Sequence, residues 1–241
     1  MISIVNVSKS FGNNKAVNSL SLDIKNGEIF GLLGPNGAGK STTLKMITGI
    51  LKPDNGDVLI DGNSIVTNSI EAKMNFGFVP DSPNMFLGMT GENYLSFIAS
   101  CYRIEKSKAM ERAIELSKKF EIFDNLHEVI ANYSHGMRQK LFICGSLLHN
   151  PNNWILDEPL TGLDPEAAFQ VKNTMQEMAN ESKSILFSTH VLDVAERVCD
   201  RIGIIDKGQL LFVGTLEELR EKQHEENTNL ESLFLELTKN D

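Results

Sequence analysis

At 241 residues the chain is long enough for one large domain or two small ones with a sizeable core. Its 41% apolar and 23% charged residues suit a soluble globular protein, and a net charge of −9 argues against broad attraction to nucleic acid or anionic lipid, so no nucleic-acid partner is expected. No run approaches eighteen apolar residues, no signal-type segment follows Met1, and Cys101, Cys144 and Cys199 match no metal-ligand spacing, so a cytoplasmic chain with reduced thiols and no membrane span is expected.

In chain order, residues 2–7 and 17–24 are strand-like, and Leu20, Leu22 and Ile24 alternate onto one face as in a half-buried antiparallel strand. Between them Phe11, beside Gly12, is open to two readings: an aromatic packed in the core, or a flat apolar ring that stacks on a nucleotide base. The apolar run Ile29 to Leu33 then leads into Gly34-Pro35-Asn36-Gly37-Ala38-Gly39-Lys40-Ser41-Thr42, and a helical run from Ser41 to Ile50 leads out. These residues fit G-x-x-x-x-G-K-[ST] in the strand–loop–helix context that the pattern needs. Glycines let the backbone turn tightly so that N–H groups point at phosphate oxygens, and the following helix adds the positive end of its dipole. Lys40 can reach the β- and γ-phosphates, and the Ser41 hydroxyl can ligate Mg²⁺. The stretch reads as a nucleoside triphosphate site.

Lys52 to Gly56 is a turn cluster, followed by strands at 57–60 and 76–79, the second ended by Pro80. From about residue 90 the period becomes helical. Thr90 is a candidate N-cap for a helix through Tyr94, Phe97, Ile98 and Cys101, a second helical run covers 107–120, and a third runs from Arg138 to His149. A mainly helical subdomain over about 82–150 is therefore expected to interrupt an α/β pattern. The pattern resumes at Trp154-Ile155-Leu156, and Asp164-Pro165 opens a helix with Asp as N-cap. A strand at 184–188 leads to Thr189-His190 and a helix through Val191, Val194, Ala195 and Val198. Arg201 to Asp206 and Gln209 to Val213 flank Lys207-Gly208 as a hairpin, and Thr215 to Glu218 is a capping box. A solvated stretch, Glu221 to Asn229, precedes a helix that sets Leu230, Leu233, Phe234 and Leu237 on one face.

An apolar strand ending in Asp157-Glu158 has a mechanical logic beside a phosphate loop. Ligands of a parallel sheet sit beyond the carboxyl ends of its strands. There Asp157 can hold Mg²⁺, directly or through water, and Glu158 can take the proton from the water that attacks the γ-phosphate. The plainer alternative is two solvated carboxylates at a strand end. His190, after another buried strand, would be aimed at the same pocket, the plainer alternative being an ordinary polar surface or core histidine.

Phe11, GPNGAGKST at 34–42, YSHGMRQK at 133–140, WILDEP at 154–159, GLDP at 162–165 and STH at 188–190 form an ordered set that resembles an ABC-type ATPase, specifically the nucleotide-binding subunit of a bacterial ABC transporter of an exporter-like branch. The resemblance runs from about residue 2 to 216. It implies a RecA-like P-loop ATPase core, α/β in class, with an antiparallel β subdomain and the inserted helical subdomain, over residues 1–216, followed by a C-terminal helical tail at 217–241. It implies ATP and Mg²⁺ as cofactors, with Phe11 stacking on adenine and residues 34–42 holding the phosphates. Lys40, Glu158 and His190 form the catalytic set, His190 sensing the γ-phosphate; Ser41 and Asp157 hold the metal. Ser134 and Gly136, with the helix starting near Arg138, would contact ATP on a second copy, so that two chains close head-to-tail with Asp164 at the interface. A transmembrane permease would be the other partner, placing the chain on the inner face of the cell membrane. Two positions depart from the pattern. Asp81 stands where the family usually has Gln and remains a possible hard oxygen ligand, and His135 replaces a Gly and reads as a solvated neighbour. A soluble ABC ATPase without a permease is the alternative. A regulatory cassette that does not turn ATP over fits less well, because Glu158 and His190 are both present.

Overall fold

A computed structural model describes residues 1–222 and 230–239, with side chains of the last helix given through Leu235. Strand β1 (Ile2–Phe11) turns directly into β2 (Asn14–Ile24) and also pairs antiparallel with β4 (Asn55–Ile60), which pairs with the two-residue β5 (Asn63–Ser64). The resulting sheet has the order β2-β1-β4-β5. Leu20, Leu22 and Ile24 are buried while Ser21 and Asp23 face solvent, as the alternation predicts for a sheet with one wet face. Phe11 is not in the core: it ends β1 about half exposed, because the hairpin tip carries it past the last buried pair.

The second sheet joins β3 (Ile29–Leu33), β6 (Phe76–Val79), β7 (Asn153–Asp157), β8 (Ser184–Thr189), β9 (Arg201–Asp206) and β10 (Gln209–Gly214) in the order β10-β9-β3-β8-β7-β6. All neighbours are parallel except β9 and β10, which form the hairpin expected across Lys207-Gly208. β3, β7 and β8 are buried along their whole length, the near-continuous apolar run of a strand covered on both faces. Trp154, Leu156, Ile185 and Phe187 face one core, while Ile155 and Leu186 face another shared with the antiparallel sheet.

Helix α1 (Lys40–Ile47) follows β3, starting one residue and ending three residues earlier than the sequence suggests, and Gly49 breaks it with φ +66. A short helix, α2 (Ser69–Met74), precedes β6; six residues are too few for a periodic signal to announce it. α3 (Gly91–Cys101) is capped by Thr90, whose Oγ1 accepts from Asn93 N–H at 3.2 Å. α4 (Lys106–Lys119) follows, and then α5 (His135–Leu147). α5 begins a turn before Arg138, because Ser134 Oγ accepts from Met137 N–H at 3.2 Å and so caps the helix at the signature segment itself. These helices share a single apolar cluster with the parallel sheet, through Tyr94, Leu95, Phe142 and Leu147 packed with Trp154 and Phe187.

α6 (Pro165–Asn180) is capped by Asp164, which accepts from Ala167 N–H at 2.8 Å. α7 (Leu192–Val198) follows β8, and α8 (Leu216–Lys222) carries the capping box, Thr215 and Glu218 each accepting the other's N–H. In α9 (Leu230–Lys239), Leu230 and Leu233 are buried and Phe234 partly buried against α7, α8 and β9, so the apolar face docks on its own domain. Leu237 and most of the stretch 221–229 lie outside the described side chains and residues.

Candidate nucleotide site

A cavity of about 480 Å³ opens at the carboxyl ends of β3, β7 and β8. Pro35, Asn36, Gly37, Gly39, Lys40, Ser41 and Thr42 form one wall; Asp81, Glu158 and His190 reach it from three other segments. Gly34 and Ala38 support this wall from behind and do not line it. The helix that leaves the loop has no side-chain cap, so the first N–H groups, which have no partner within the helix, are left to a ligand at its cavity-lining start. Gly39 sets this entry. Its φ of +109 is a conformation for glycine, and a methyl group there would stand 2.6 Å from the Ala16 carbonyl oxygen.

Lys40 is nearly buried, its Nζ donating to the Gly34 carbonyl at 2.7 Å and the Pro35 carbonyl at 3.3 Å, and lying 3.8 Å from Glu158 Oε1. The other Glu158 oxygen, Oε2, is 3.0 Å from His190 Nδ1. Glu158 is therefore held between an ammonium and an imidazole, 13% exposed, while His190 is 52% exposed at the mouth. Glu158 has φ +50, a conformation that a residue with a side chain adopts only under constraint. Asp157 lies one residue deeper. Ser41 Oγ donates to its Oδ1 at 3.2 Å and Ser188 Oγ donates to the same oxygen at 2.6 Å, while Ser188 Oγ also accepts Glu158 N–H at 3.1 Å.

The Ser41 hydroxyl and the Asp81 carboxylate line the cavity, and the buried Asp157 carboxylate stands behind Ser41; all three are hard oxygen donors of the kind Mg²⁺ takes. Among the described residues no group of three or more His, Cys, Asp or Glu side chains forms a closed metal cage.

Two expected regions lie away from the cavity. Phe11 sits on the hairpin tip, paired across the strands with Asn14, which does line the cavity. Ser134 and Gly136 lie at the start of α5, Gly136 against Gly162, and neither lines the cavity of their own phosphate loop. Sequence reading also missed contributors: Asn14, Lys15, Ala16, Thr161 and Lys207 line the cavity, and Ser188 joins Asp157 to the Glu158 backbone. The lining residues show no local signal. Ser188 does, as a polar residue inside an otherwise apolar buried strand.

Asp164 lies beyond the cavity at 50% side-chain exposure. The Ala167 N–H, and then Lys140 at 2.9 Å, hold its carboxyl below the usual carboxylate range.

A family model described as "ABC transporter" matches residues 17–161. The linearmycin resistance ATP-binding protein LnrL of Bacillus subtilis (strain 168) is 33% identical over 219 residues, covering 91% of this chain and 70% of the relative. A solved structure of an ATP binding subunit of an ABC transporter superposes with a TM-score of 0.94 at 31% identity, covering 98% of this chain and 99% of the other. The dimeric structure of MJ0796, a bacterial ABC transporter cassette, gives a TM-score of 0.80 at 28% identity, with 90% and 99% covered.

Proposed function

The chain belongs to the ABC transporter family as a nucleotide-binding subunit, and from that premise we propose that it hydrolyses ATP in a Mg²⁺-dependent reaction to drive an exporter. The observation that carries this reading is Glu158, held within 3.8 Å of Lys40 and 3.0 Å of His190 on the wall opposite the phosphate loop. Lys40 would exchange the Gly34 and Pro35 carbonyls for the β- and γ-phosphates, and the N–H groups of residues 37–42 would hold the remaining phosphate oxygens. Ser41, Asp157 and Asp81 are the residues that would hold Mg²⁺, whose chemistry when bound is neutralisation of charge on the β- and γ-oxygens. Glu158 takes the proton of the attacking water, and His190 fixes the orientation of that carboxylate and senses the γ-phosphate. Phe11, exposed at the hairpin tip beside cavity-lining Asn14, is free to stack on adenine.

Ser134 and Gly136 lie outside the cavity of their own chain, which supports the reading that they close over ATP held by a second copy; the similar MJ0796 cassette is dimeric. Met85, Phe86 and Leu87, a few residues beyond Asp81, and Phe97 on α3 are exposed, with the Phe86 ring 5.5 Å from those of Tyr94 and Phe97. An apolar cluster of this kind supports docking of a permease, which would hold the chain on the inner face of the membrane. Among the described residues no helix is long and apolar enough to cross a membrane. Export rather than import is supported by the resistance role in the name of LnrL. Residues 1–216 would form the nucleotide-binding domain, with the helical subdomain at about 82–150, and 217–241 the tail.

The test is ATP hydrolysis by the chain together with its permease. Lys40→Ala should lose nucleotide binding or turnover. Glu158→Gln should bind ATP while turnover falls about 10²–10⁴-fold, as for loss of a general base. Parental turnover in either variant removes the corresponding assignment.

A further inference from the structure

Four residues on the first turns of α5 face the short loop that leaves Glu158. A methyl group added at Gly162 would collide with the Cδ2 edge of the His135 ring, and one added at Gly136 would stand 2.8 Å from the Gly162 carbonyl oxygen. One turn further on, buried Gln139 donates from Nε2 to the Pro159 carbonyl at 3.4 Å, and Lys140 Nζ lies 2.9 Å from Asp164 Oδ2. Positions 135, 136, 139 and 140 form one stripe of the helix. The loop is folded on itself as well, with Thr161 N–H donating to the Glu158 carbonyl at 3.2 Å and Leu163 N–H to the Leu160 carbonyl at 3.4 Å. Leu160 and Leu163 pack against the main core on either side of its apex, and the apex itself, Gly162, has φ +77 and no side chain, with the His135 ring seated against it from α5.

The backbone of Glu158, at φ +50, keeps that conformation only while its surroundings over-determine it. On one side Ser188 accepts its N–H. On the other, the loop that follows it is held by Leu160 and Leu163 packed on the core and by the α5 stripe. We propose that His135 is a positioning residue for hydrolysis: its ring, seated on Gly162, braces the Pro159–Asp164 loop so that Glu158 keeps its carboxylate between Lys40 and His190. This rests on Glu158 as the base in the proposed function. It assigns a task to the residue that stands where the ABC pattern has a glycine, and it gives α5 two ends of one action. Ser134 and Gly136 meet the partner's nucleotide, and the same turn of helix bears on the loop behind this chain's own base.

The experiment measures kcat and KM for ATP in the assembled complex for the parent, His135→Ala, His135→Phe and Glu158→Gln, with the melting temperature of each. His135 is exposed on its outer side, so the substitutions leave the core intact. His135→Ala should lower kcat by roughly fivefold or more with KM unchanged, as small misplacement of a reacting group does. His135→Phe, which keeps a planar ring over Gly162, should recover at least half of the loss. A parental kcat in His135→Ala overturns the proposal, and so does a raised KM with unchanged kcat, which would make the imidazole a nucleotide contact. A kcat that falls only in step with a fall in melting temperature, without recovery by Phe, also overturns it. Turnover surviving in Glu158→Gln removes the base on which the proposal stands, and is read separately from the His135 variants.

Discussion

Ser188 does two things that no neighbouring residue can do for it. Its hydroxyl donates to Asp157 Oδ1 at 2.6 Å and accepts the N–H of Glu158 at 3.1 Å, so one buried oxygen ties the expected metal ligand to the expected base. Ser188→Ala should leave a buried carboxylate oxygen and a backbone N–H short of partners, lowering stability by about 1–3 kcal/mol and turnover with it. Urea unfolding and ATP hydrolysis measured on the same protein test both, and an active variant of unchanged stability would refute the role. His149 makes a different kind of prediction. Its ring stacks on Tyr102 at 3.5 Å and its Nε2 meets the Phe76 carbonyl at 3.1 Å, while Nδ1 is buried with no partner among the described residues. Burial, assisted by Arg112 and opposed by the Phe76 carbonyl, pushes its pKa from 6.5 down to about 4. The unfolded chain then binds the proton first. The contribution of His149 to stability is complete above pH 6.5 and is lost as the pH falls towards 4. The melting temperature should therefore drop across that window, and His149→Phe should flatten the drop.

At the level of the element, α9 is held by few residues, and its removal should be felt. Leu230 and Leu233 are buried against α7, α8 and β9, and the helix adds an apolar face that the β9–β10 edge would otherwise expose. Leu233→Ala should cost about 2–5 kcal/mol by transfer and cavity terms, read as a lower urea midpoint. If the midpoint does not move, the helix is not docked in solution. α5 shows how capping carries function. Because Ser134 spends one lone pair on Met137 N–H, its hydroxyl is fixed at the helix terminus, where the positive dipole end would meet a partner's phosphate. Nothing in the run from Arg138 onward reveals that earlier start; the cap does.

For the whole molecule, Ser134 and Gly136 lie outside the cavity, so under the proposed head-to-tail reading a second chain would complete the site. Blocking hydrolysis should therefore trap an assembly. With Glu158→Gln, ATP should convert monomer to dimer on size-exclusion chromatography, in the presence of the permease if it is needed. Ser134→Arg added to that variant should abolish the shift, because a bulky cation replaces the hydroxyl at the expected clamp. A monomer that ignores ATP would sink the head-to-tail reading, and dimerisation of the double variant would remove Ser134 from the clamp.

Residues 34–42, the caps at Thr90, Asp164 and Thr215, and the Lys207-Gly208 turn were all legible in the sequence, because each depends on hydrogen bonds or backbone angles spanning a few residues. The α/β class was legible for a similar reason, since buried strands and amphipathic helices carry their own periods. What joins these pieces was not. Asp157 and Ser188 are direct partners across β7 and β8, thirty-one residues apart in sequence, and only strand register brings the hydroxyl to the carboxylate. Likewise only packing sets the first turn of α5 on the loop behind Glu158, turning His135 from an apparent bystander into a contact on Gly162. Local chemistry is written in consecutive residues; the distances between distant segments are decided by sheet register and core packing, which no window of sequence contains.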